Sequence, residues 1–224
     1  MAVRANLAYH GLSGISHFHH SDDNNEYRYG PSGRYIGRNE SFGGTGGNDW
    51  LKGDWWNERI WGHSGDDWMS GENGHDTMWG GHGNDWMYGG GHNDTLYGEW
   101  GNDYLNGGWG DDRLYGQDGN DHLFGEDGND LLAGGAGNDR LHGQNGNDSL
   151  WGEDGGAGHD YILGGQGDDL IDGGAGDDLI KGGADNDTLL GGDGKDRLEG
   201  GQGNDVLNGG TGADQLFGGD GDDV

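Results

Sequence analysis

Cysteine is absent from this 224-residue chain, proline occurs once, and basic residues number only 11 against 42 acids. Small secreted folds often lean on disulfides, so an exported chain without cysteine needs another staple. No run of about 18 apolar residues exists, which predicts no membrane-spanning helix. At 29% hydrophobic residues, the chain has too little apolar material for an ordinary globular core. The net charge of −31 repels nucleic acid and anionic membrane and favours cations. The N-terminal stretch MAVRANLAYHGLSGISHFHH is interrupted by Asn6, His10 and Gly11 and makes a poor secretory signal. Catalytic signatures are also missing: no H-E-x-x-H, no G-x-S-x-G and no Cys nucleophile. The chain therefore reads as a non-enzyme.

What the chain has is glycine, 58 residues of it, at strict spacing. Residues 107–133 read GGWGDDRLY, GQDGNDHLF, GEDGNDLLA. Each nine opens on Gly (Gly107, Gly116, Gly125) and repeats Gly at the fourth place, Asp at the sixth and Leu at the eighth. The period runs from Gly44 to Val224 as nineteen full units and a twentieth cut short, with a three-residue insertion assigned to 152–154. Residues 1–43 lie outside it and read as a tail, a cap or a subunit linker. Their four Arg balance four acids, so the whole of the net charge belongs to the repeats. His17, His19 and His20 are candidate transition-metal ligands that lack a fourth partner.

Within a unit, six turn-forming residues precede three strand-forming ones. Gly at the first and fourth places suits positive φ, and Asn or Asp at the fifth tolerates it. Alternation in the strand puts the eighth residue inside and the seventh and ninth outside. Three-residue strands cannot stand alone, so the coils must stack. Stacking brings the sixth-place carboxylates about 4.8 Å apart, where they repel unless a cation lies between them. A cage of carboxylates and backbone carbonyls suits a hard cation, and its flexibility favours Ca²⁺ over Mg²⁺. The candidate ligands are Asp49, Asp67, Asp76, Asp85, Asp94, Asp103, Asp112, Asp121, Asp130, Asp139, Asp148, Asp160, Asp169, Asp178, Asp187, Asp196, Asp205, Asp214 and Asp223. Roughly 18 interstices would supply about +36 if all held Ca²⁺, close to cancelling the charge.

The outward places carry aromatic rows with an eighteen-residue period: Trp50, Trp68, Trp86 and Tyr104 at place seven, and Trp61, Trp79, Tyr97 and Tyr115 at place nine. Three readings stay open: sheet stabilisation, packing against another copy or residues 1–43, and stacking on sugar rings. The threonine ladder expected for ice binding is missing, since the outward threonines are only Thr77, Thr95 and Thr188.

Units such as GGHGNDWMY (80–88) and GGQGDDLID (164–172) resemble the haemolysin-type, or RTX, calcium-binding nonapeptide G-G-x-G-x-D-x-U-x. The resemblance covers residues 44–224 and implies an all-β, right-handed parallel β-roll of about ten coils. It implies two nonapeptides per coil, with Ca²⁺ between same-side turns. Ligands would then alternate between edges, Asp67, Asp85, Asp103 and Asp121 on one, Asp76, Asp94, Asp112 and Asp130 on the other. Glu58, His92, Asp185 and the insertion before Asp160 depart from the pattern. Two functions are expected. The first is an extracellular calcium-binding structural protein that folds on Ca²⁺ and stacks head-to-tail, since the last unit stops mid-strand at Val224. The second is a glycan-binding or secretion-assisting module of a larger secreted protein.

Overall fold

The computed structural model describes residues 33–35, 41–152 and 158–224, and every β-pairing in it is parallel. The described residues contain no helix. Two long sheets alternate along the chain. One has eleven strands, running from Gly33–Tyr35 and Trp50–Lys52 through Tyr104–Trp109 and His122–Asp127 to Gln215–Asp220. The other has ten: Ser41–Gly43, Arg59–Ser64, Thr77–His82, Thr95–Trp100, Arg113–Asp118, Leu131–Ala136, Ser149–Trp151, Leu170–Asp172, Thr188–Leu190 and Val206–Asn208. Each strand pairs with the strand two further on, so the chain winds as a β-solenoid of about ten coils. The ladder register is eighteen residues, as in Leu105 with Leu123 and Leu114 with Leu132.

The eighth-place residues make the core. Leu51 through Ile60, Met69, Met78, Met87 and the Leu and Ile that follow to Leu198 are all within 1% of full burial. Phe42 continues the same column ahead of the first regular repeat, so Ser41–Gly43 already belongs to the solenoid. Fully burying each such side chain contributes roughly 1.5–3 kcal/mol, a gain that accrues only when a neighbouring coil covers it.

Most strands are six residues long rather than three, because pairing continues past the first-place Gly into places two and three. The chain bends between the two halves, and the left-handed residue there is at the second place, not the first. Gln117 (φ 79°), Glu126 (φ 82°) and Gln144 (φ 82°) adopt it without being glycine. Glycine at the first place answers a different need, the lack of room. A Cβ on Gly116 would lie 2.3 Å from Asp121 Oδ2 and 2.5 Å from the carbonyl oxygen of Gly134. The fourth place is left-handed in most units from Gly65 onward, and His92 (φ 77°) and Asp185 (φ 79°) occupy it in place of glycine.

At the insertion, Leu141 pairs with Ile162 and Leu150 with Ile171, a register of 21 that leaves both isoleucines in the core. Gly152 takes the first-place role of the next unit: a Cβ on it would lie 2.2 Å from both Asp160 Oδ2 and the Gly173 oxygen. The extra residues therefore fall after Gly152 rather than at 152–154. The acids gather at the turns. Of the outward seventh and ninth places of the two sheets from Trp50 onward, only Asp172 and Glu199 are acidic, and Glu199 is bonded to Lys181 and Arg197.

Candidate metal centre

The turns place two polar ladders on each edge of the solenoid. The fifth-place side chains form the outer one. Asn102, Asn120 and Asn138 each donate a backbone N–H to the side-chain oxygen of the fifth-place residue one coil earlier, at 2.7–2.8 Å. His75 and His159 join through Nδ1, which accepts from the N–H of Asn93 and of Asp177. The sequence shows Asn, Asp or His at this place in most units. Its purpose is a side-chain ladder rather than tolerance of positive φ.

The sixth-place carboxylates form the inner ladder. Asp85 N–H donates to Asp103 Oδ1 (2.7 Å), Asp103 to Asp121 (2.8 Å) and Asp121 to Asp139 (2.7 Å). On the opposite edge Asp76 donates to Asp94, Asp94 to Asp112 and Asp112 to Asp130, each at 2.7 Å. The same residues' carbonyls accept from the seventh-place N–H of the next coil, as His122 donates to Asp103. One carboxylate oxygen and the backbone are thereby fixed, which aims the second oxygen.

That second oxygen, Oδ2, is buried and has no hydrogen-bond partner in Asp67, Asp76, Asp85, Asp94, Asp103, Asp112, Asp121, Asp130, Asp148, Asp169, Asp187, Asp196 and Asp205. Leaving a buried carboxylate oxygen unpaired costs more than the 1–3 kcal/mol of a neutral group, so its recurrence coil after coil calls for a counter-charge. The first-place glycines show what else faces it. Asp103 Oδ2 and the Gly116 oxygen both crowd Gly98, and Asp85 Oδ2 and the Gly98 oxygen both crowd Gly80. Carboxylate and carbonyl oxygens thus approach one another in each gap between coils.

Electrostatics agrees. Burial is the largest influence and pushes Asp103 and Asp148 up to about 6, Asp112 to about 7, Asp121 and Asp130 to about 8, and Asp94 to about 9. The donated backbone N–H pulls the other way. Like-charged neighbours one coil off, Asp103 and Asp139 for Asp121, push further up. Without a cation Asp94, Asp121 and Asp130 resist ionising at neutral pH, and the others ionise at a cost. Among the described residues no three His, Asp or Glu side chains converge on a point, so a cation here must draw many of its ligands from the backbone. An all-oxygen set of that kind suits Ca²⁺, which takes six to eight oxygens in flexible geometry.

The RTX calcium-binding nonapeptide repeat matches in seven segments, 57–87, 70–105, 79–114, 106–141, 124–155, 154–189 and 190–224. The chain belongs to this family. Its repeats bind Ca²⁺ between turns, and the stacked, buried aspartates of this RTX chain fit that ion. Comparison with curated proteins returns no match.

The RTX repeat explains the places each candidate occupies. Sixteen of the nineteen aspartates are at most 3% exposed, whereas Asp49, Asp214 and Asp223, in the first and last coils, are half-buried. Asp49 differs further, because its Oδ2 accepts from the backbone and hydroxyl of Thr45. Glu58 sits in register, its N–H donating to Asp76 Oδ1 (2.6 Å) and its Oε2 accepting from Asp54. His17, His19 and His20 lie outside the described residues.

The aromatic rows differ from each other. Trp61, Trp79, Tyr97 and Tyr115 form a regular stack, with centroids 5.1, 5.7 and 5.0 Å apart and planes within 7–10°. On the other sheet the straight row expected from Trp50, Trp68, Trp86 and Tyr104 is broken. Trp50 meets Trp68 edge-on, Trp68 leans to Tyr88, and Trp86 stacks on Tyr104, which continues to Phe124 and His142. Bulky rings at both places seven and nine let a diagonal contact compete there.

Proposed function

We propose that the chain is an extracellular structural protein whose fold is assembled by Ca²⁺ and which associates with further copies of itself. The observation that carries this reading is the row of buried, unpartnered Oδ2 atoms on each edge. The residues assigned to hold Ca²⁺ are the sixth-place aspartates from Asp67 to Asp205, two neighbouring coils sharing each gap with the backbone carbonyls between them. The ion supplies the positive charge that lets these carboxylates stay ionised while buried. Asp49, Asp214 and Asp223, half-buried in the first and last coils, complete the assigned set with weaker sites.

Sites built from carbonyls and one carboxylate per turn resemble extracellular calcium modules, which bind at roughly 10⁻⁴–10⁻³ M. A chain of charge −31 would then stay unfolded where calcium is scarce and fold where it is millimolar. A scaffold rather than a catalyst fits the regular aspartates, whose Oδ1 atoms are engaged in the ladder. The glycan-binding alternative draws little support from the regular aromatic row, because its rings cover one another and leave only the outer faces of Trp61 and Tyr115. Negative-stain electron microscopy in millimolar Ca²⁺ tests the proposal. Ordered assemblies that disperse on chelation are expected, and dispersed single particles at every calcium concentration would count against self-association.

A further inference from the structure

The outer faces of both sheets are poor in acids, and that of the ten-stranded sheet also carries few bases. Its ten strands offer twenty outward seventh- and ninth-place positions, and only Arg59, Arg113 and Asp172 among them are charged. One acid in twenty stands against 42 in the whole chain. The N-terminal half of the face carries the stacked row Trp61, Trp79, Tyr97 and Tyr115. The C-terminal half sets aliphatic Leu131, Leu170, Leu190 and Val206 among Trp151 and polar side chains, and Leu170 is 40% and Val206 46% exposed. Parallel sheets normally have both faces covered, and a ninth-place row that is apolar from Trp61 to Trp151 marks a contact surface.

We infer that this face docks against the same face of a second copy of the chain. The inference deepens the self-association proposed above by naming its surface, and it rests on the calcium-folded state. The constant ladder register keeps equivalent places of successive coils in line, so two such faces can meet along their length. In the register set by charge eight strands overlap, and seven inter-strand spacings of roughly 4.8 Å with strands of three to six residues give a footprint on the order of 330–670 Å², the size of a weak association. A standard interface takes roughly 800 Å² per partner.

Charge fixes the register. A two-fold axis parallel to the strands, midway between Leu131–Ala136 and Ser149–Trp151, reverses the stacking order of one copy over the other. It lays Arg113–Asp118 over the second copy's Leu170–Asp172, and does so twice by symmetry. Arg113 is exposed and Asp172 half-buried, so each can meet its counterpart across the interface two residues along the strand, about 6.6 Å away. The same operation sets Tyr97 against Leu190 and Trp79 against the Val206–Asn208 strand. Rings meet aliphatic side chains at these strands, and no carboxylate row is buried.

Sedimentation velocity on the full chain in millimolar Ca²⁺ tests this, with circular dichroism recorded on the same samples. The wild type should dimerise or assemble further. Arg113→Asp and Asp172→Arg should each weaken association about tenfold or more, and the double exchange should recover it. A folded wild type that stays monomeric, or single variants that associate like the wild type, would overturn the interface while leaving calcium folding intact. Failure of the double exchange to recover association would overturn the register and with it the proposal. A chain without a β-sheet spectrum in Ca²⁺ would overturn both readings. A folded monomer retarded by neutral polysaccharide in affinity electrophoresis would assign the face to a glycan and refute the second-copy occupant.

Discussion

Replacing Gly116 by alanine isolates the demand that the first place makes on the chain. The added Cβ would stand 2.3 Å from Asp121 Oδ2 and 2.5 Å from the Gly134 oxygen, where about 3.4 Å is needed. The carbonyl belongs to the backbone of the next coil and the carboxylate is pinned through Oδ1 to Asp103 N–H. Neither can retreat without disturbing its ladder. Overpacking of this kind costs about 1–3 kcal/mol, and for a chain of this length each kcal/mol lowers the melting temperature by roughly 2–4 °C. Thermal melts in saturating Ca²⁺ should therefore show Gly116→Ala melting about 2–12 °C below the wild type. Gly46 supplies the control, since a Cβ there meets nothing within 4 Å. Gly46→Ala should stay within about 2 °C of the wild type, as surface changes of ±0.5 kcal/mol do. Equal melting of the two variants would refute the argument that close approach, rather than turn conformation, selects glycine at this place.

Other consequences follow from the same geometry. Asp121→Asn keeps the acceptor for Asp103 N–H but removes the charge, so calorimetric titration should show a stoichiometry lower by about one or two Ca²⁺. In chelator, the raised aspartate pKa values set the sign of the pH response. The folded form is favoured below the ordinary carboxylate value of 3.8 and loses that advantage as pH rises through about 6 to 9. Circular dichroism of the metal-free chain should accordingly show more β-structure at pH 4 than at pH 7.5. Leu114→Ala empties a fully buried core place and should cost about 2–5 kcal/mol by chemical denaturation in Ca²⁺. The same change at Leu216, which is 45% exposed, should cost far less.

Much of this architecture is legible in the nine-residue period. The eighth-place column, the outward seventh and ninth places and the alternating edges follow from side-chain alternation once stacking is granted, as Leu114, Leu123 and Leu132 show. What escapes the period is anything set by contact between coils. The crowding of Gly116 depends on Asp121 and on Gly134 of the following coil, and only stacked geometry reveals it. The same holds for Gly152, whose role is fixed by Asp160 and Gly173 rather than by its neighbours in sequence. The left-handed second place is hidden because Gln117 and Glu126 occupy it without glycine. The fifth-place ladder shows in the sequence only as a run of Asn, Asp and His. The broken row on the eleven-stranded sheet turns on Tyr88 competing for Trp68, a choice among rotamers that spacing does not encode.

Buried aspartate stacks and calcium should make one cooperative structure. Far-ultraviolet circular dichroism of the full chain at pH 7.5, titrated with Ca²⁺ from a chelated start, tests it most directly. A disordered spectrum in chelator should convert to a β-sheet spectrum as calcium reaches about 10⁻⁴–10⁻³ M, and revert on chelation. A spectrum that is already β-sheet in chelator, and that calcium leaves unchanged, would contradict it.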